Sequence, residues 1–412
     1  MKQLEKFTKR GKPLSSLSRF ELLCQLLGNP QENLRFVHIA GTNGKGSVSE
    51  YIMSALMLSR QYERVGKFTS PYLVRVNERI QLDNKVISDT ALEKITAIVI
   101  LAAEKASEMM SGNLGYSQFE ILTAAAFVFF SMAKTDIVVL EAGIGGTLDC
   151  TNIVTPEISV ITAIGLDHCE ILGGTTAEIA AHKAGIIKKN VPVVVYPGAP
   201  AVMNVFRKKA ESLGAKFIAV PKNPDILRND YSGTRFVDGK ETYRTKMIGR
   251  HQVFNALTAI YALRELGVGS DSIRGGVSGA TLPGRMQLLR TDPMIILDGA
   301  HNPQGMAAAA EIMRVSPVTK AAVVGMITGK DYKSAIRELL PSVGAVIFTD
   351  KFAPNSVPVA ALEKAAVSTG FPPKCIFTVR EPMSAVNFAA QLVSGGVVLV
   401  TGSLYLAGSL LK

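Results

Sequence analysis

The stretch HIAGTNGKGSVSEYI (residues 38–52) decides the fold of this chain, because three glycines, a lysine and a serine fall within seven residues there. The preceding run FVHIA (36–40) predicts a buried strand, and SVSEYIMSALMLS (47–59) predicts a helix. A glycine-rich turn that leads from a strand into a helix is typical of phosphate binding. The stretch therefore predicts a strand–loop–helix unit that holds a nucleotide triphosphate.

The residues of this loop suit an anion. Glycines let backbone N–H groups approach phosphate oxygens, and the helix N-terminus adds further donors. Lys45 supplies a full positive charge, and Ser47 supplies a hydroxyl for a metal ion. Because Gly46 separates lysine from serine, the strict GxxxxGKS/T pattern is not matched, so a kinase, a GTPase or a glycine turn without a ligand stays open here. The ATP-binding candidates are Gly41, Thr42, Asn43, Gly44, Lys45, Gly46 and Ser47.

Beyond the loop, short β-branched runs alternate with helical patterns, which predicts an α/β fold with mostly parallel sheets. The alternation restarts after residues 281–289, and 412 residues favour two domains. We predict a larger α/β domain that carries the phosphate loop over residues 1–285 and a smaller α/β domain over 286–412. The predicted strands are 36–40, 136–143, 158–165 and 191–196 in the first series, and 294–300, 321–327, 345–350, 375–380 and 396–400 in the second.

Local signals mark several element ends. Ser117 with Glu120, and Thr175 with Glu178, have capping-box spacing and predict helix starts. Polar alternation over 228–248 around Asp238-Gly239 predicts a β-hairpin, and a helix is expected over 252–266.

The charge balance favours an anionic partner, since the formal net charge is +11. The basic residues are scattered and no aromatic platform is interleaved with them, which argues against a nucleic-acid binder. A small polyanion, such as a nucleotide or a polycarboxylate, fits the composition as well.

Composition also bears on the compartment. The four cysteines form no CxxC pair, so neither a disulfide framework nor a zinc ribbon is indicated, and a cytoplasmic location is predicted. Residues 1–16 lack the apolar core of a signal peptide. Residues 382–411 carry no charge, but a proline, polar residues and glycines interrupt them, so we predict a helix and a buried strand rather than a membrane span.

Nine short blocks follow one another along nearly the whole chain. They are GTNGKGS (41–47), TSP (69–71), EAGIGGTLDCTN (141–152), GLDH (165–168), HKAGII (182–187), GRHQVFNA (249–256), LPGR (282–285), LDGAHNP (297–303) and GSLYL (402–406). In this order they resemble the folylpolyglutamate synthase and dihydrofolate synthase family, within the Mur ligase superfamily. The resemblance implies an ATPase domain, a smaller Rossmann-like domain and an active site between them.

The resemblance also implies an activity. Members join a carboxylate to the amine of L-glutamate, after ATP has phosphorylated the carboxylate to an acyl phosphate. Our first hypothesis is a ligase that acts on dihydropteroate and on reduced folates, and the alternative within the family is a folylpolyglutamate synthase without the dihydropteroate step. Only 37 residues precede His38, which we take to disfavour a Mur ligase acting on a cell-wall nucleotide precursor. From another class, a P-loop kinase or a nucleotide-regulated binding protein remains an alternative.

The resemblance assigns two magnesium ions. Ser47 is expected to hold the nucleotide-bound ion, and Ser70, Glu141 and His168 the second one. Lys183 matches a lysine that family members carry as a carbamate, although His182 stands where a glutamate commonly precedes that lysine. With Lys45 and His168, Lys183 completes the predicted catalytic set. Relatives also suggest a potassium ion.

The remaining site residues come from the same resemblance. Asn255 is expected at the adenine, and Arg285, Asp298 and His301 at the phosphates and ribose. Arg285 lies in the predicted linker, where domain closure is expected to move it onto the γ-phosphate.

On the substrate side, Phe119, Asp149 and Cys150 are expected at the pterin. The chain departs from many relatives at Thr147, where those have arginine. The expected partners are small molecules only, with no nucleic acid and no membrane, and the chain is expected to act as a monomer.

Overall fold

We describe the chain from a computed structural model, which covers residues 16–110, 115–315 and 317–412 together with Leu4 and Phe7. These residues form two compact units. The amino-terminal unit contains the described residues up to Asn223 and the segment Phe254–Gly279, and the carboxy-terminal unit contains Pro224–Val253 and Ala280–Lys412. The units do not follow a single cut in the sequence, and the domain boundary near residue 285 remains a prediction.

The sheet of the amino-terminal unit is mostly parallel. Its described strands are β1 (Phe36–Ala40), β2 (Val65–Phe68), β3 (Ile80–Leu82), β4 (Lys85–Val86), β5 (Ile137–Glu141), β6 (Ile158–Ile161), β7 (Val193–Val195) and β8 (Phe217–Ala219). Their order is β4-β3-β2-β5-β1-β6-β7-β8. Neighbours from β2 through β8 run parallel, whereas β3 and β4 add an antiparallel edge. The α/β fold class predicted from the sequence is confirmed.

The predicted strands of this unit are confirmed, with shorter carboxyl ends. β1 spans the predicted range, while β5 and β6 end at Glu141 and Ile161. Beyond these two residues the chain leaves the sheet to form loops at the carboxyl edge, which is where open α/β sheets bind ligands. The edge pair β3 and β4 had no sequence prediction; both residues of its connecting turn, Asp83 and Asn84, have positive φ, which suits a tight hairpin.

Helices and short 3₁₀ turns cover the sheet. Both predicted capping boxes are present: Ser117 and Glu120 bond reciprocally at one helix start, and Thr175 and Glu178 do so at another. The helices described up to Gly279 are α1 (Ser18–Leu26), α2 (Lys45–Leu58), α3 (Asp89–Met109), α4 (Gln118–Met132), α5 (Cys169–Leu172), α6 (Thr176–Lys183), α7 (Pro200–Ser212), α8 (Arg250–Glu265) and α9 (Ser270–Gly279).

Among its described residues, the amino-terminal unit contains two clusters of buried apolar side chains. One cluster joins α1, α3 and α4 to sheet residues such as Phe36 and Leu140. The other packs α6 and α7 against Ala40, Ile161 and Val193. Strands that are covered on both faces have nearly continuous apolar sequences, which is why the sequence predicted them.

The carboxy-terminal unit has its own sheet, in which β12 is an antiparallel edge and the other neighbours are parallel. The order is β12-β13-β17-β14-β15-β16. All five strands predicted for the second series are confirmed, and β12 was not predicted. The strands are β12 (Gln287–Thr291), β13 (Met294–Leu297), β14 (Lys320–Val324), β15 (Ala345–Phe348), β16 (Ile376–Thr378) and β17 (Val397–Thr401); the helices are α10 (Pro303–Met313), α11 (Tyr332–Leu339), α12 (Val359–Ser368), α13 (Pro382–Leu392) and α14 (Leu404–Ser409).

A small antiparallel sheet belongs to the same unit. Its strands are β9 (Asp225–Asp230), β10 (Gly233–Asp238) and β11 (Glu241–Thr245). The predicted hairpin is confirmed as β10 and β11, which pair up to Asp238 opposite Glu241. The predicted helix over 252–266 is α8, which begins two residues earlier.

The uncharged carboxy-terminal stretch folds as α13, β17 and α14. Of the residues that the structure covers, none belong to a helix long and apolar enough to cross a membrane. Most of the amino-terminal segment 1–16, which we predicted not to be a signal peptide, lies outside the described residues.

Candidate active site

The glycine-rich loop lies between β1 and α2, as the sequence predicted. β1 ends at Ala40, and α2 begins at Lys45, two residues before the predicted start at Ser47. Gly44 has φ = 90°, a left-handed conformation that glycine adopts readily. The first turn of α2 therefore directs its backbone N–H groups and its positive dipole end towards the loop.

The loop is anchored to the segment that follows β6. Thr42 N and Asn43 N both donate to Ala163 O, over 2.8 and 3.2 Å. Thr162 Oγ1 donates to Asn43 O over 2.8 Å. A Cβ at Gly41 would lie 1.8 Å from Thr162 Oγ1, so this approach requires glycine.

Two lysine side chains converge on one carbonyl oxygen of the loop. Lys45 Nζ donates to Gly41 O over 3.1 Å, and Lys183 Nζ donates to the same oxygen over 2.9 Å. Glu141 Oε1 lies 3.8 Å from Lys45 Nζ. Two amine groups and a carboxylate thus meet at the loop where the phosphates are expected.

The environment of Lys183 makes its amine easy to deprotonate. The side chain lies at the end of α6 and is buried. Burial, with a smaller contribution from Lys45, lowers the pKa of Lys183 to about 7, although Asp167 and Asp149 act in the opposite direction. A low dielectric disfavours the charged form, so near neutral pH a large share of this amine is uncharged.

The predicted metal ligands Ser70 and Glu141 lie together. Glu141 ends β5, is buried, and accepts a hydrogen bond from Ser70 N over 3.2 Å. Ser47 is buried in the first turn of α2. Their elements follow β2, β5 and β1, which are neighbours in the sheet, so three predicted ligands come from adjacent carboxyl ends.

His168 has a strained backbone and acidic neighbours. Its φ is 54°, and its N–H donates to Asp167 Oδ1 over 2.9 Å just before α5. Nε2 lies 3.9 Å from Asp167, and Nδ1 lies 3.8 Å from Glu170. A non-glycine residue in this conformation is uncommon and is often found at functional sites.

The donor set fits a hard divalent cation. No group of three His, Cys, Asp or Glu side chains is placed to hold a metal in the described part of the chain. The predicted set instead combines the hydroxyls of Ser47 and Ser70 with Glu141 and His168. Magnesium usually takes only one or two carboxylates and keeps water and phosphate oxygens, so this oxygen-rich set suits it.

Asn255 lies against the loop. A Cβ at Gly44 would be 2.4 Å from Asn255 Oδ1, so the amide of this α8 residue touches the turn before Lys45. A shallow recess lined by Tyr196, Pro197, Gly198, Lys222 and Phe254 opens beside the same helix. The rings of Tyr196 and Phe254 are 5.6 Å apart.

In the carboxy-terminal unit, Arg285, Asp298 and His301 come together. Asp298 accepts from Met286 N over 3.0 Å and from Ala300 N over 2.9 Å. His301 Nδ1 lies 2.9 Å from Gly299 O, and an Arg285 guanidinium nitrogen would be 3.2 Å from a Cβ at Gly299. Their nucleotide roles remain predictions.

The predicted substrate residues form a second cluster. Asp149 is buried and accepts from Gly143 N and Ile144 N at one oxygen, and from Thr151 N and Oγ1 at the other. Phe119 lies against Gly143, where a Cβ would be 2.7 Å from its ring. Burial raises the pKa of Asp149, while these hydrogen bonds act against the rise.

Cys150 is the most enclosed member of the second cluster. Its Sγ lies 3.4 Å from Thr123 Oγ1, and burial raises the pKa of its thiol well above the usual range. The thiol is therefore protonated and can offer only packing to a ligand.

Sequence reasoning missed several residues near these clusters. The Arg79 guanidinium carbon lies 5.5 Å from the centre of the Tyr72 ring and 5.8 Å from that of Phe119, which puts a cation beside a predicted pterin contact. Asp167 acts on the pKa of Lys183, and the block GLDH was its available signal. Tyr196 and Arg79 had no sequence signal, because each is one aromatic or basic residue among many.

Known families and proteins match this chain over most of its length. The model of the Mur ligase middle domain matches residues 39–263, and that of the Mur ligase glutamate ligase domain matches residues 284–404. The chain is 35% identical to the dihydrofolate synthase/folylpolyglutamate synthase of Bacillus subtilis, covering 96% of this chain and 94% of that protein. It is 32% identical to the folylpolyglutamate synthase of Lacticaseibacillus casei, covering 95% and 92%.

Solved structures of folylpolyglutamate synthases are similar to this chain over nearly its whole length. Mycobacterium tuberculosis folylpolyglutamate synthase complexed with ADP superposes with a TM-score of 0.91 at 30% identity, covering 99% of this chain and 96% of that one. E. coli FolC in complex with DHPP and ADP gives 0.85 at 28%, covering 98% and 94%. The Yersinia pestis bifunctional enzyme complexed with AMPPNP and a Mn ion gives 0.85 at 27%, covering 99% and 95%.

Proposed function

The chain belongs to the folylpolyglutamate synthase and dihydrofolate synthase family of the Mur ligases, and from this premise we propose that it joins L-glutamate to dihydropteroate and to reduced folates. The reaction class is that of an ATP-dependent ligase between an acid and an amino acid. ATP is converted to ADP and phosphate as the amide forms.

One observation carries the proposal. Lys45 and Lys183 meet at the carbonyl of Gly41, with Glu141 3.8 Å from Lys45. A phosphate loop that only binds nucleotide needs neither the buried second amine nor the buried carboxylate. Charge of both signs at the end of a triphosphate suits transfer of the terminal phosphoryl group to a substrate carboxylate.

Two steps follow from this arrangement. The γ-phosphoryl group of ATP first passes to the substrate carboxylate, which gives an acyl phosphate and ADP. The loop amides and Lys45 hold the phosphates in line and offset their negative charge. The amine of glutamate then attacks the acyl carbon, phosphate leaves with the electron pair of its C–O bond, and the amine loses a proton as the amide forms.

We assign two magnesium ions to the site. Ser47 would hold the one on the nucleotide, and Ser70, Glu141 and His168 the other. When bound, magnesium neutralises phosphoryl oxygens during the transfer. The Mn ion in the Yersinia pestis relative supports a divalent cation. A potassium ion is a further proposal, and comparing rates in potassium and sodium salts tests it.

Lys183 is proposed to act as a carbamate. Addition of its amine nitrogen to CO₂ forms a C–N bond and releases a proton, so a cation is replaced by an anion. Only the neutral amine can add to CO₂, and a pKa of about 7 provides that form near neutral pH. The product would favour a second magnesium ion, which an ammonium would repel.

For the nucleotide, we assign Asn255 to the adenine, in keeping with its contact with Gly44. Arg285, Asp298 and His301 are assigned to the phosphates and the ribose. Asp298 and His301 follow β13 at its carboxyl end, which is the usual ligand edge of such a sheet.

For the pterin, we assign Phe119, Asp149 and Cys150 as bordering residues. Thr147 supports an alternative, a folylpolyglutamate synthase without the dihydropteroate step. Its Oγ1 donates to His182 O over 3.0 Å, so this position offers the substrate no cation where many relatives have arginine.

A phosphate-release assay tests the proposal and separates the alternatives. Purified protein with Mg–ATP is given dihydropteroate or tetrahydrofolate, each with and without L-glutamate. We expect phosphate release with either acid only when glutamate is present. Phosphate release with tetrahydrofolate but not with dihydropteroate would indicate a folylpolyglutamate synthase without the dihydropteroate step. ADP formation that does not depend on glutamate would indicate a kinase.

We further propose that the chain acts on small molecules as a monomer in the cytoplasm, without nucleic acid or membrane. Light scattering of the purified protein tests the monomer. A mass of twice 44.0 kDa would contradict it.

A further inference from the structure

A buried chain of hydrogen bonds connects the strand before the phosphate loop with the loop on the substrate side. His38, in the middle of β1, has its Nε2 2.9 Å from Thr151 Oγ1. Thr151 Oγ1 lies 2.6 Å from Asp149 Oδ1. Both His38 and Thr151 are fully buried. Neither was a predicted site residue; the available signal was one polar residue in an otherwise apolar strand.

The donors and acceptors of this chain can be assigned. Asp149 receives three backbone N–H groups and the Thr151 hydroxyl, which fill the four acceptor positions of an ionised carboxylate. Since the single Thr151 proton points to Asp149, His38 must donate from Nε2–H to the hydroxyl oxygen. His38 Nδ1 is then the bare nitrogen of a neutral ring, and it has no hydrogen-bond partner among the described residues.

The far end of this series of hydrogen bonds is the loop that the proposed function assigns to the pterin. Asp149 Oδ2 accepts from Gly143 N over 2.9 Å and from Ile144 N over 3.0 Å. These amides come two and three residues after Glu141. Gly143 in turn has no room beyond the Phe119 ring, so Asp149 fixes the backbone on which Phe119 packs.

We propose that His38 and Thr151 are positioning residues for the pteroate-type substrate: through Asp149 they fix the loop 143–152 against the strand that carries the phosphate loop. The proposal rests on the proposed function. Asp149, which the proposed function places at the pterin, is held by Thr151 and itself holds the backbone amides of Gly143 and Ile144. Losing one link therefore loosens the substrate side, whereas the phosphate loop keeps its own anchors at Thr162 and Ala163.

Matched variants at Thr151 test this series of hydrogen bonds from His38 through Thr151 to Asp149, which we call the relay. Thr151→Val keeps the shape and removes the hydroxyl, and Thr151→Ser keeps the hydroxyl. When a buried hydrogen-bonding group loses its partner, the substrate binding that depends on it should weaken by about tenfold. We expect Thr151→Val to raise KM for tetrahydrofolate about tenfold with KM for ATP nearly unchanged, and Thr151→Ser to restore it.

His38 variants test the other link. His38→Leu removes the donor, and His38→Gln can supply an amide N–H at about the reach of Nε2. We expect His38→Leu to match Thr151→Val, and the double variant to be no worse than either single one, because the two residues act in series. Equal increases in KM for ATP and tetrahydrofolate, or losses that add in the double variant, would overturn the relay.

Hydrogen exchange separates failure of the relay from failure of the proposed function. In Thr151→Val, backbone amides of 143–152 should lose protection while those of 41–47 keep it. If protection over 143–152 stays as in the natural sequence, the relay is wrong, whatever the activity. If the natural sequence shows no glutamate-dependent phosphate release but Thr151→Val loses protection over 143–152, the proposed function fails and the relay geometry stands.

Discussion

Individual residues of one type have unlike chemistry in this molecule because their surroundings differ. Lys45 and Lys183 donate to the same carbonyl oxygen, and burial lowers the pKa of Lys183 to about 7. Sequence reasoning named both as catalytic from a motif and a resemblance. It had no access to the pKa, which depends on how much water and how many charges surround the amine.

Lys183→Ala should abolish glutamate-dependent phosphate release, because the variant cannot form the carbamate. Millimolar acetate should restore part of the rate by placing a carboxylate in the vacated space. With ¹³C-bicarbonate, the natural sequence should give a carbamate carbon signal that this variant lacks. The signal and the activity should fall together below pH 7, since protonation removes the nucleophilic form of the amine.

The exposed Lys189 provides the matched control for Lys183. Lys189→Ala should keep both the carbon signal and the activity. An active protein that gives no carbamate carbon signal with ¹³C-bicarbonate at neutral pH would contradict the carbamate.

Because of His38, the protein should lose stability as the pH falls. Burial lowers its pKa to about 3, with Lys188 adding to the effect, against an ordinary value of 6.5. The folded state therefore binds fewer protons than the unfolded state between these values, and stability falls as pH drops through that window. From pH 7 to pH 5 this group should cost about 2 kcal/mol.

Urea unfolding of His38→Gln at pH 7 and pH 5 measures this cost. The variant should lose about 2 kcal/mol less over the interval than the natural sequence, because glutamine does not titrate. Equal losses in both proteins would mean that His38 is not buried as a neutral ring.

Among the secondary-structure elements, the sequence predicted the capped helix starts but not the edge strands. The boxes at Ser117 and Thr175 lie within four residues of sequence, so local chemistry determines them. β3, β4 and β12 have few residues or mostly exposed ones, and partners elsewhere in the chain define them. An ion pair joins α1 to the start of α4, from Arg19 to Glu120, across 101 residues that no local pattern connects.

Breaking this pair should destabilise the amino-terminal unit. Arg19 donates twice to Glu120, and both side chains are largely buried. Arg19→Met leaves a buried carboxylate without its partner, which should cost about 3 kcal/mol in urea unfolding.

An exposed pair is the control for that experiment. Arg35 and Glu157 are more than 40% exposed, so Arg35→Met should cost less than about 0.5 kcal/mol. A similar loss in both variants would show that burial does not set the strength of the Arg19 pair.

For the whole molecule, the net charge of +11 left nucleic acid and a small polyanion open. The fold favours the small polyanion, because Lys45, Ser70 and Glu141 lie close to one another at the neighbouring carboxyl ends of β1, β2 and β5. Net charge does not say where the basic residues lie in the fold, so composition could not distinguish a nucleic-acid partner from a small polyanion.

Mg–ATP should raise the melting temperature in a saturable way. At one hundred times its Kd, a ligand that binds only the folded state adds about 2.7 kcal/mol. Lys45→Ala should lose this increase, and Lys189→Ala should keep it. A single-stranded oligonucleotide that stabilised the protein equally, with a steep dependence on salt, would point to a nucleic-acid partner.

The sequence by itself determined the strand–loop–helix unit at residues 36–58, the two α/β series, the capping boxes and the family, because these depend on periodicity, local bonding and ordered blocks. Only the tertiary structure decided that two lysines meet at Gly41, that Asp149 is saturated and that His38 reaches it through Thr151. These contacts join residues 113 and 142 positions apart. Sequence patterns do not encode which carboxyl ends become neighbours, and burial, which sets the pKa values, exists only once the sheet has formed.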